Sequence, residues 1–311
     1  MAVLRAVLVA AVAFLTFIAT AFGQPVAWTG AGDGTSWNNP NNWSPVGLPG
    51  ATNDVTIGAG ATAVNVNVSP SIRSLTLGRT VDITGCNILN TTNGVTFTGA
   101  AGIINTSPLG CESLRFTGTQ SVTGTGVINV NVGTMRLSGG ASLTLGAGVQ
   151  LNSGGSGGTS IVFEAGTTLN NQGTIRATGA GRSLTVGNSG GTFNNLAGGL
   201  VSAESSATLS IASQWTNAGT FNINGGTLSL GGSFTTLGTV TRTGGTLEFT
   251  GAFSGPALTA TAATGSISLG GNFSATGTAI GASGGSSFII TGNPTFTNVT
   301  LGAPVVGGPG C

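Results

Sequence analysis

The sequence contains no histidine, no lysine and no tyrosine, and charged residues make up only 5% of it. Without these side chains a Ser-His-Asp triad, a Schiff-base amine and the usual bases are excluded, and carboxylate pairs could serve in the enzyme case that remains. The formal net charge is +1. Such a weakly charged chain lacks the basic surface that nucleic-acid binding requires. We predict no nucleic-acid partner, and we find no pattern that indicates a cofactor or a metal ion.

The chain is rich in glycine, and its apolar residues follow a repeating pattern. Its 311 residues include 57 glycines, and 39% of the residues are hydrophobic. Apolar residues return about every 20 residues in two series. The first series is Leu169, Phe193, Trp215, Phe234, Phe253, Phe273 and Phe296, and the second is Leu184, Leu209, Leu228, Leu247, Ile267 and Phe288. Such a period is typical of a solenoid, in which each repeat buries its apolar side chains against its neighbours.

Within one repeat, apolar and polar residues alternate. Phe221 and Ile223 are each flanked by polar residues, and this period of two predicts a β-strand. Glycines recur too often for helices but suit tight turns. In the first half, residues 74–77, 94–97, 113–116 and 134–137 share one strand pattern, and we expect them to stack on one another. The sequence therefore predicts an all-β fold, a right-handed parallel β-helix (β-solenoid) of about 20-residue coils with a Trp-rich amino-terminal cap.

The chain divides into a signal peptide, a cap, the repeats and a Gly/Pro-rich tail, at residues 1–23, 24–60, 61–301 and 302–311. The signal peptide is predicted because Arg5 precedes a short apolar core and a small-x-small site ends at Gly23. An amino-terminal membrane anchor is the alternative, and no later apolar run is long enough to span a bilayer. The tail offers little to cover the last coil, so we expect a docking partner there or a further domain downstream.

Three of the four tryptophans, Trp28, Trp37 and Trp43, lie close together near the amino terminus. The end of a solenoid exposes an open core and unpaired strand edges, which large aromatic side chains in a Gly/Asn/Pro-rich loop can cover. We therefore predict that these tryptophans cap the first coil. The alternative is a carbohydrate platform, because tryptophan faces also stack on sugars.

The same region carries a fairly specific motif. It reads Trp28-Thr29-Gly30, Gly32-Asp33, Asn42-Trp43 and Asp54-Val55-Thr56-Ile57, and Asn/Gly/Thr-rich repeats follow. This order resembles secreted bacterial parallel β-helix repeat proteins of the autotransporter-passenger and adhesin-like kind. The resemblance implies an extracellular or cell-surface protein with a structural or adhesive role, whose ligand is a surface glycan or a protein.

Cys86 and Cys111 lie 25 residues apart, which is close to one coil, so stacked coils would bring them within disulfide range. An exported protein meets an oxidising compartment. We therefore predict that these two cysteines are bonded and that Cys311 is unpaired. Two buried thiols one coil apart are the alternative.

Arg115 and Arg136 occupy equivalent positions in neighbouring coils and are flanked by core residues, so both should point outward. Like charges stacked in this way are mildly destabilising. The pair is a candidate ligand contact for an anion or an acidic sugar. The alternative is that the two side chains splay apart into solvent.

The seven acidic residues are spread along the chain. Such spacing predicts no catalytic carboxylate pair, although Glu204 and Glu248 could fall on one face of the solenoid. We therefore predict a structural or adhesive protein without catalytic activity. The alternative is a carbohydrate-active β-helix enzyme, a polysaccharide lyase or a glycosidase, and a glycosidase would need two carboxylates about 5 to 9.5 Å apart.

Overall fold

A computed structural model describes residues 23–155, 157–302 and 305–307 of the chain. Parallel sheets stack as a β-solenoid of about 11 turns, which confirms the predicted parallel β-helix. Within the described residues, helical structure is limited to a single 3-10 turn, Pro40–Asn42, and no helix has the length and apolarity to span a bilayer. Residues 1–22 of the predicted signal peptide and Cys311 lie outside these ranges.

From Asn53 onward, each coil contributes strands to three faces, which the chain visits in the same order in every turn. The first face contains Gln24–Trp28, Asn53–Ile57, Ser74–Leu77, Ser142–Leu145, Thr167–Asn171, Gly191–Asn195, Gln214–Asn217, Ser233–Phe234, Ala252–Phe253, Ser274–Thr276 and Thr295–Thr297. The second contains Val64–Val66, Thr80–Ile83, Val149–Ser153, Thr174–Ala177, Leu200–Glu204, Thr220–Asn224, Thr239–Arg242, Ala257–Ala260, Ala279–Ala282 and Thr300–Leu301. The third contains Ser71–Ile72, Leu89–Thr91, Glu112–Thr117, Thr134–Ser138, Gly158–Phe163, Ser183–Val186, Thr208–Ile211, Thr227–Leu230, Thr246–Phe249, Ile267–Leu269, Phe288–Ile290 and Val305–Gly307. Two longer strands, Val95–Asn105 and Gln120–Val130, bend from the first face into the second, and Trp43–Ser44 is antiparallel to Gln24–Trp28.

The second apolar series forms an inward row of the third face. Leu184 lies beside Leu209 in the next coil. The row then continues through Leu228, Leu247, Ile267 and Phe288. Every member is buried, and burying a side chain of this kind stabilises by about 1.5–3 kcal/mol. The predicted register of this series is confirmed.

The first apolar series follows the predicted stacking on the first face, with one exception. Phe193 lies between Leu169 and Trp215 in register. Farther along, Phe253 pairs with Ala275 and not with Phe273. The chain reaches this strand through a longer corner, residues 270–273, so Phe273 belongs to the corner and is still fully buried.

The register predicted for the first half is wrong at one step. Val95 stacks on Val122, whereas Leu114 stacks on Leu89. The strand of residues 94–97 lies on the first face, and that of residues 113–116 lies on the third. Similar spacing led to this error because strands of every face share the same apolar alternation.

Asparagines form a buried ladder at the corner between the first and second faces. The Asn171 Nδ2 donates to the Asn195 Oδ1 at 2.8 Å, and the Asn195 Nδ2 donates to the Asn217 Oδ1 at 2.8 Å. Asn217 in turn donates to the carbonyl oxygen of Leu237 at 3.0 Å. Burying amides is costly unless they are hydrogen-bonded, and this ladder provides partners from coil to coil.

A second ladder runs along the outside of the second face. The Asn105 Nδ2 donates to the Asp82 Oδ1 at 2.7 Å, and the same bond repeats from Asn129 to Asn105 and from Asn152 to Asn129. Arg176 follows Asn152 in register. A carboxylate only accepts hydrogen bonds, so Asp82 at the end of the ladder favours one direction for the amides that follow it.

The first and second faces are each interrupted in the described part of the chain, whereas the third is continuous. The 17-stranded sheet ends on the first face at Gln214–Asn217, and a 4-stranded sheet begins at Ser233–Phe234. On the second face it ends at Thr239–Arg242, and a 3-stranded sheet begins at Ala257–Ala260. The third face remains one 12-stranded sheet through both interruptions. It therefore joins the two parts of the solenoid by backbone hydrogen bonds.

A disulfide joins Cys86 to Cys111. Their Cα atoms are 5.3 Å apart, within the usual range for such a bond. Cys86 precedes Leu89–Thr91 and Cys111 precedes Glu112–Thr117, which are paired strands of the third face. The bond therefore links two adjacent coils near the amino-terminal end.

Truncation of Phe221 should destabilise the whole stack. Its side chain is fully buried, and its ring centroid lies 5.3 Å from that of Trp215. Because the neighbouring coils cannot close the cavity, Phe221→Ala should lower the free energy of unfolding by about 3–5 kcal/mol. Denaturant unfolding followed by circular dichroism measures this loss.

Gln214→Ala is the matched control for this experiment. Gln214 is an exposed residue on the strand that precedes Phe221 in the chain, so its truncation should change stability by no more than about 0.5 kcal/mol. A Phe221→Ala midpoint equal to that of Gln214→Ala would show that the ring is not part of the core.

Candidate functional site

The three amino-terminal tryptophans form one buried cluster. Trp28, Trp37 and Trp43 are 8%, 0% and 1% exposed. The ring of Trp43 lies edge-on to both others, at 4.9 Å from Trp28 and 4.7 Å from Trp37 between centroids. The Trp43 Nε1 donates to the Trp37 carbonyl oxygen at 2.8 Å. Rings buried to this degree have no free face for a sugar, so the geometry favours the cap over the platform.

The cap closes strand edges as well as the core. Trp43 pairs with Trp28 on the outer edge of the first face. Beside the second face, Ser36 pairs with Asn65, and the backbone N–H of Trp37 donates to the Asn65 carbonyl oxygen at 2.9 Å. The parallel ladder already begins at Gln24–Trp28, so the cap is a loop inserted between the first two strands of the first face. Backbone N–H and C=O groups of these edges are thereby paired, so they are not available to a strand of another chain.

Asn42 and Asp33 hold the cap loop together. The buried Asn42 amide accepts from the backbone N–H groups of Gly32 and Gly34 and donates to the Asp33 carboxylate at 2.7 Å. Backbone N–H groups of Ser36 and Thr35 also donate to Asp33. These backbone hydrogen bonds, followed by that from Asn42, hold the pKa of the Asp33 carboxyl well below its ordinary value.

The two candidate ligand-contact arginines are neighbours, as predicted. Arg115 and Arg136 face each other directly on the third face. The Arg136 Nη1 lies 3.7 Å from the Glu164 Oε1, and the Glu164 Oε2 accepts from the backbone N–H of Gly139 at 3.2 Å. Glu164 therefore partly offsets the like charges. Arg136 thus has an ion-pair partner at the surface, and a ligand contact at the two arginines stays a prediction.

The described acidic side chains are separated and often paired with arginine. Asp54 pairs with Arg73 at 2.6 Å, and Glu204 lies 3.4 Å from Arg176. Glu204 is on the second face and Glu248 on the third, so the suggestion that they share a face is wrong. The two strands follow different corners of the coil, which spacing alone did not reveal. Among the described residues no three metal-ligating side chains come together.

From Gly158–Phe163 to Ile267–Leu269, hydroxyl side chains and one carboxylate form two in-register rows on the outside of the third face. One row is Ser183, Thr208, Thr227 and Thr246. The other is Ser160, Thr185, Ser210, Ser229, Glu248 and Ser268. Variation in coil length falls in the corners, so these rows keep the strand spacing of about 4.8 Å. In the strands that these rows cross, Glu248 is the one charged residue, and the hydroxyls offer many weak hydrogen-bonding groups.

A groove lies at the corner between the third and first faces. Its volume is about 420 Å³, and its walls contain four glycines, Ala212, and the polar residues Thr167, Thr168, Ser189, Thr192, Gln214 and Ser233. Two successive corners that line the groove differ in length. The corner at residues 187–190 has four residues, whereas that of the next coil, at residues 212–213, has only two. Gly232, one of the lining residues, lies against the preceding coil, because a Cβ on it would lie 1.7 Å from the Ser213 carbonyl oxygen.

A smaller hollow of about 120 Å³ adjoins this groove and shares Gln214 and Ser233 with it. It lies where the first-face sheet is interrupted. Trp215 and Phe234 form its floor, with ring centroids 4.5 Å apart and planes at 16°. We call the groove and the hollow together the corner groove.

No sequence pattern predicted the corner groove. Its residues carry no charge and form no recognised motif, so no chemical pattern drew attention to them. The available sign was the change of corner length from Gly187-Asn188-Ser189-Gly190 to Ala212-Ser213. That sign is readable only once strand boundaries are known.

Replacing Asp33 by Asn should weaken the cap at neutral pH and reduce its sensitivity to acid. A carboxylate accepts the N–H groups more strongly than a neutral amide oxygen does. Because the folded pKa is lowered, the stabilisation by Asp33 is present at neutral pH and is lost as the pH falls below its ordinary value of about 3.9. We expect a lower starting midpoint and a smaller acid-induced decrease in Asp33→Asn than in the wild type. Tryptophan fluorescence during thermal unfolding reports on the cap, since it contains three of the four tryptophans.

Glu248→Gln provides the control, because it removes a carboxylate from the third face and leaves the cap unchanged. Its pH profile should parallel that of the wild type. If Asp33→Asn also paralleled the wild type from neutral pH to about pH 2, Asp33 would not be an acid-sensitive support of the cap.

Comparisons of the chain with protein-family models, with curated proteins and with solved structures found no match. A fold by itself does not imply a function, because one architecture carries many activities. The function of this solenoid therefore has to be inferred from its surface chemistry.

Proposed function

We propose that the chain is a secreted or cell-surface solenoid with a structural and adhesive role and no catalytic activity. It contacts a surface glycan or a protein ligand through its outward side chains. The resemblance of the opening motif to adhesin-like β-helix proteins supports this role. The disulfide between Cys86 and Cys111 supports export, because such bonds persist in oxidising compartments.

The observation that carries the proposal is the in-register display of uncharged polar side chains on a continuous stack. Ser210 and Ser229 occupy successive positions of one outward row, and the 12-stranded sheet beneath them is unbroken. Each hydroxyl contributes a weak contact. Contacts that repeat along a rigid solenoid raise the overall affinity for a multivalent partner. After the first contact, each further one forms at a high effective concentration.

The surface chemistry favours this role over that of a carbohydrate-active enzyme. A glycosidase needs two carboxylates about 5 to 9.5 Å apart, one of them positioned as an acid. Glu204 and Glu164 instead lie beside arginines, and no acidic residue lines the corner groove in the described part of the chain. An adhesive surface needs no such pair.

Beads coated with the full chain should adhere to cells or to polysaccharide-coated surfaces without degrading the polymer. We expect retention under flow at least several-fold above that of albumin-coated beads. No new reducing ends and no unsaturated sugar products should form. Phe221→Ala serves as the fold control, because it disrupts the stack without altering surface charge, and it should reduce adhesion.

Two results would contradict the proposal. Release of sugar products by the wild type, lost on substitution of an acidic residue, would establish the enzymatic alternative. Retention no higher than that of albumin on every surface would remove the adhesive role.

A further inference from the structure

The corner groove crosses several coils along the solenoid axis. Its larger part reaches from Gly166 to Ser233, and its smaller part continues to Ser254. Gln214 and Ser233 line both parts, so one elongated ligand can contact both. The larger volume of about 420 Å³ is within the range of known ligand sites.

The lining has hydrogen-bonding capacity and no charge. Hydroxyls of Thr168, Thr192 and Ser233 each donate and accept, and the Gln214 amide does both. The nearest acidic residue in sequence, Glu164, bonds toward Arg136 and Gly139 of the preceding coil. A ligand in the groove would therefore meet neutral groups that match alternating donors and acceptors.

The interrupted first-face sheet adds an independent feature at the same place. Gln214–Asn217 and Ser233–Phe234 follow each other on this face but belong to different sheets. The side chain of Asn217 crosses the interruption by donating to the carbonyl oxygens of Leu237 and Thr239. Trp215 and Phe234, which line the hollow, are at most 2% exposed and provide an apolar floor.

From these features we infer that the corner groove binds a neutral, extended oligosaccharide that lies along the solenoid axis. This inference rests on the proposed adhesive function and names the ligand class and the site. Sugar hydroxyls supply both donors and acceptors, as the lining requires. An acidic sugar would find no cation in the lining, and a nucleic acid would find no basic surface. A peptide partner would need deeper apolar pockets for its side chains.

The test is direct binding of the full chain to linear oligosaccharides from cellulose, xylan, mannan and chitin, with oligogalacturonate of equal length as the acidic probe. We expect at least one neutral probe to bind, and its affinity to stay constant as salt rises from about 0.05 to 0.5 M, because no ion pair forms. Gln214→Ala should weaken that binding about fivefold, the value of one good hydrogen bond. Ser189→Trp, which fills the groove, should abolish it.

Gln172→Ala is the matched control, because Gln172 is also exposed but lies at the corner between the first and second faces. It should bind as the wild type does, and thermal unfolding should show all three variants folded. Wild-type affinity in folded Gln214→Ala and Ser189→Trp would overturn the inference, as would binding of oligogalacturonate alone or of no neutral probe at about 1 mM. If beads still adhered in that case, the proposed function would stand without this site. If the beads also failed to adhere, both the proposed function and the oligosaccharide site would be overturned.

Discussion

The stacking of inward side chains from one coil onto the next is the interaction on which this molecule depends. A single coil has no partner for its own apolar residues, so Leu209 is buried only because Leu184 and Leu228 lie on either side of it. The third face maintains this contact along the described solenoid, since its 12-stranded sheet is unbroken. The other two faces can be interrupted because the third keeps the coils in register.

Polar groups are accommodated by the same repetition. At the first corner, Asn171, Asn195 and Asn217 donate in one direction along the axis, so each buried amide finds its partner in the next coil. On the outside, the amides of Asn105, Asn129 and Asn152 also donate in one direction, toward the carboxylate of Asp82, which only accepts. The corner between the first and second faces is thus held by neutral amides, which avoid the cost of desolvating buried charges.

The cap and the corner groove both lie where the repetition changes. At the amino terminus, the cap inserts between two first-face strands and covers both the core and the strand edges. At the corner groove, a shorter corner follows a longer one and the first-face ladder stops. Both departures lie between strands and not within them. Residues in corners are less constrained by stacking, so they are free to shape a site.

Much of the architecture was readable from the sequence. The alternation around Phe221 and the second apolar series identified strands and their stacking, because a side chain's direction and burial follow directly from a period of two. The spacing of Cys86 and Cys111 and the cluster at Trp43 likewise pointed to contacts that the structure contains. The tertiary structure decided the face to which each strand belongs, which separated Leu114 from Val95 and Glu204 from Glu248. It also decided where the corner groove forms. The face of each strand and the place of the groove depend on the lengths of several successive corners. A local pattern of neighbouring residues does not determine these lengths.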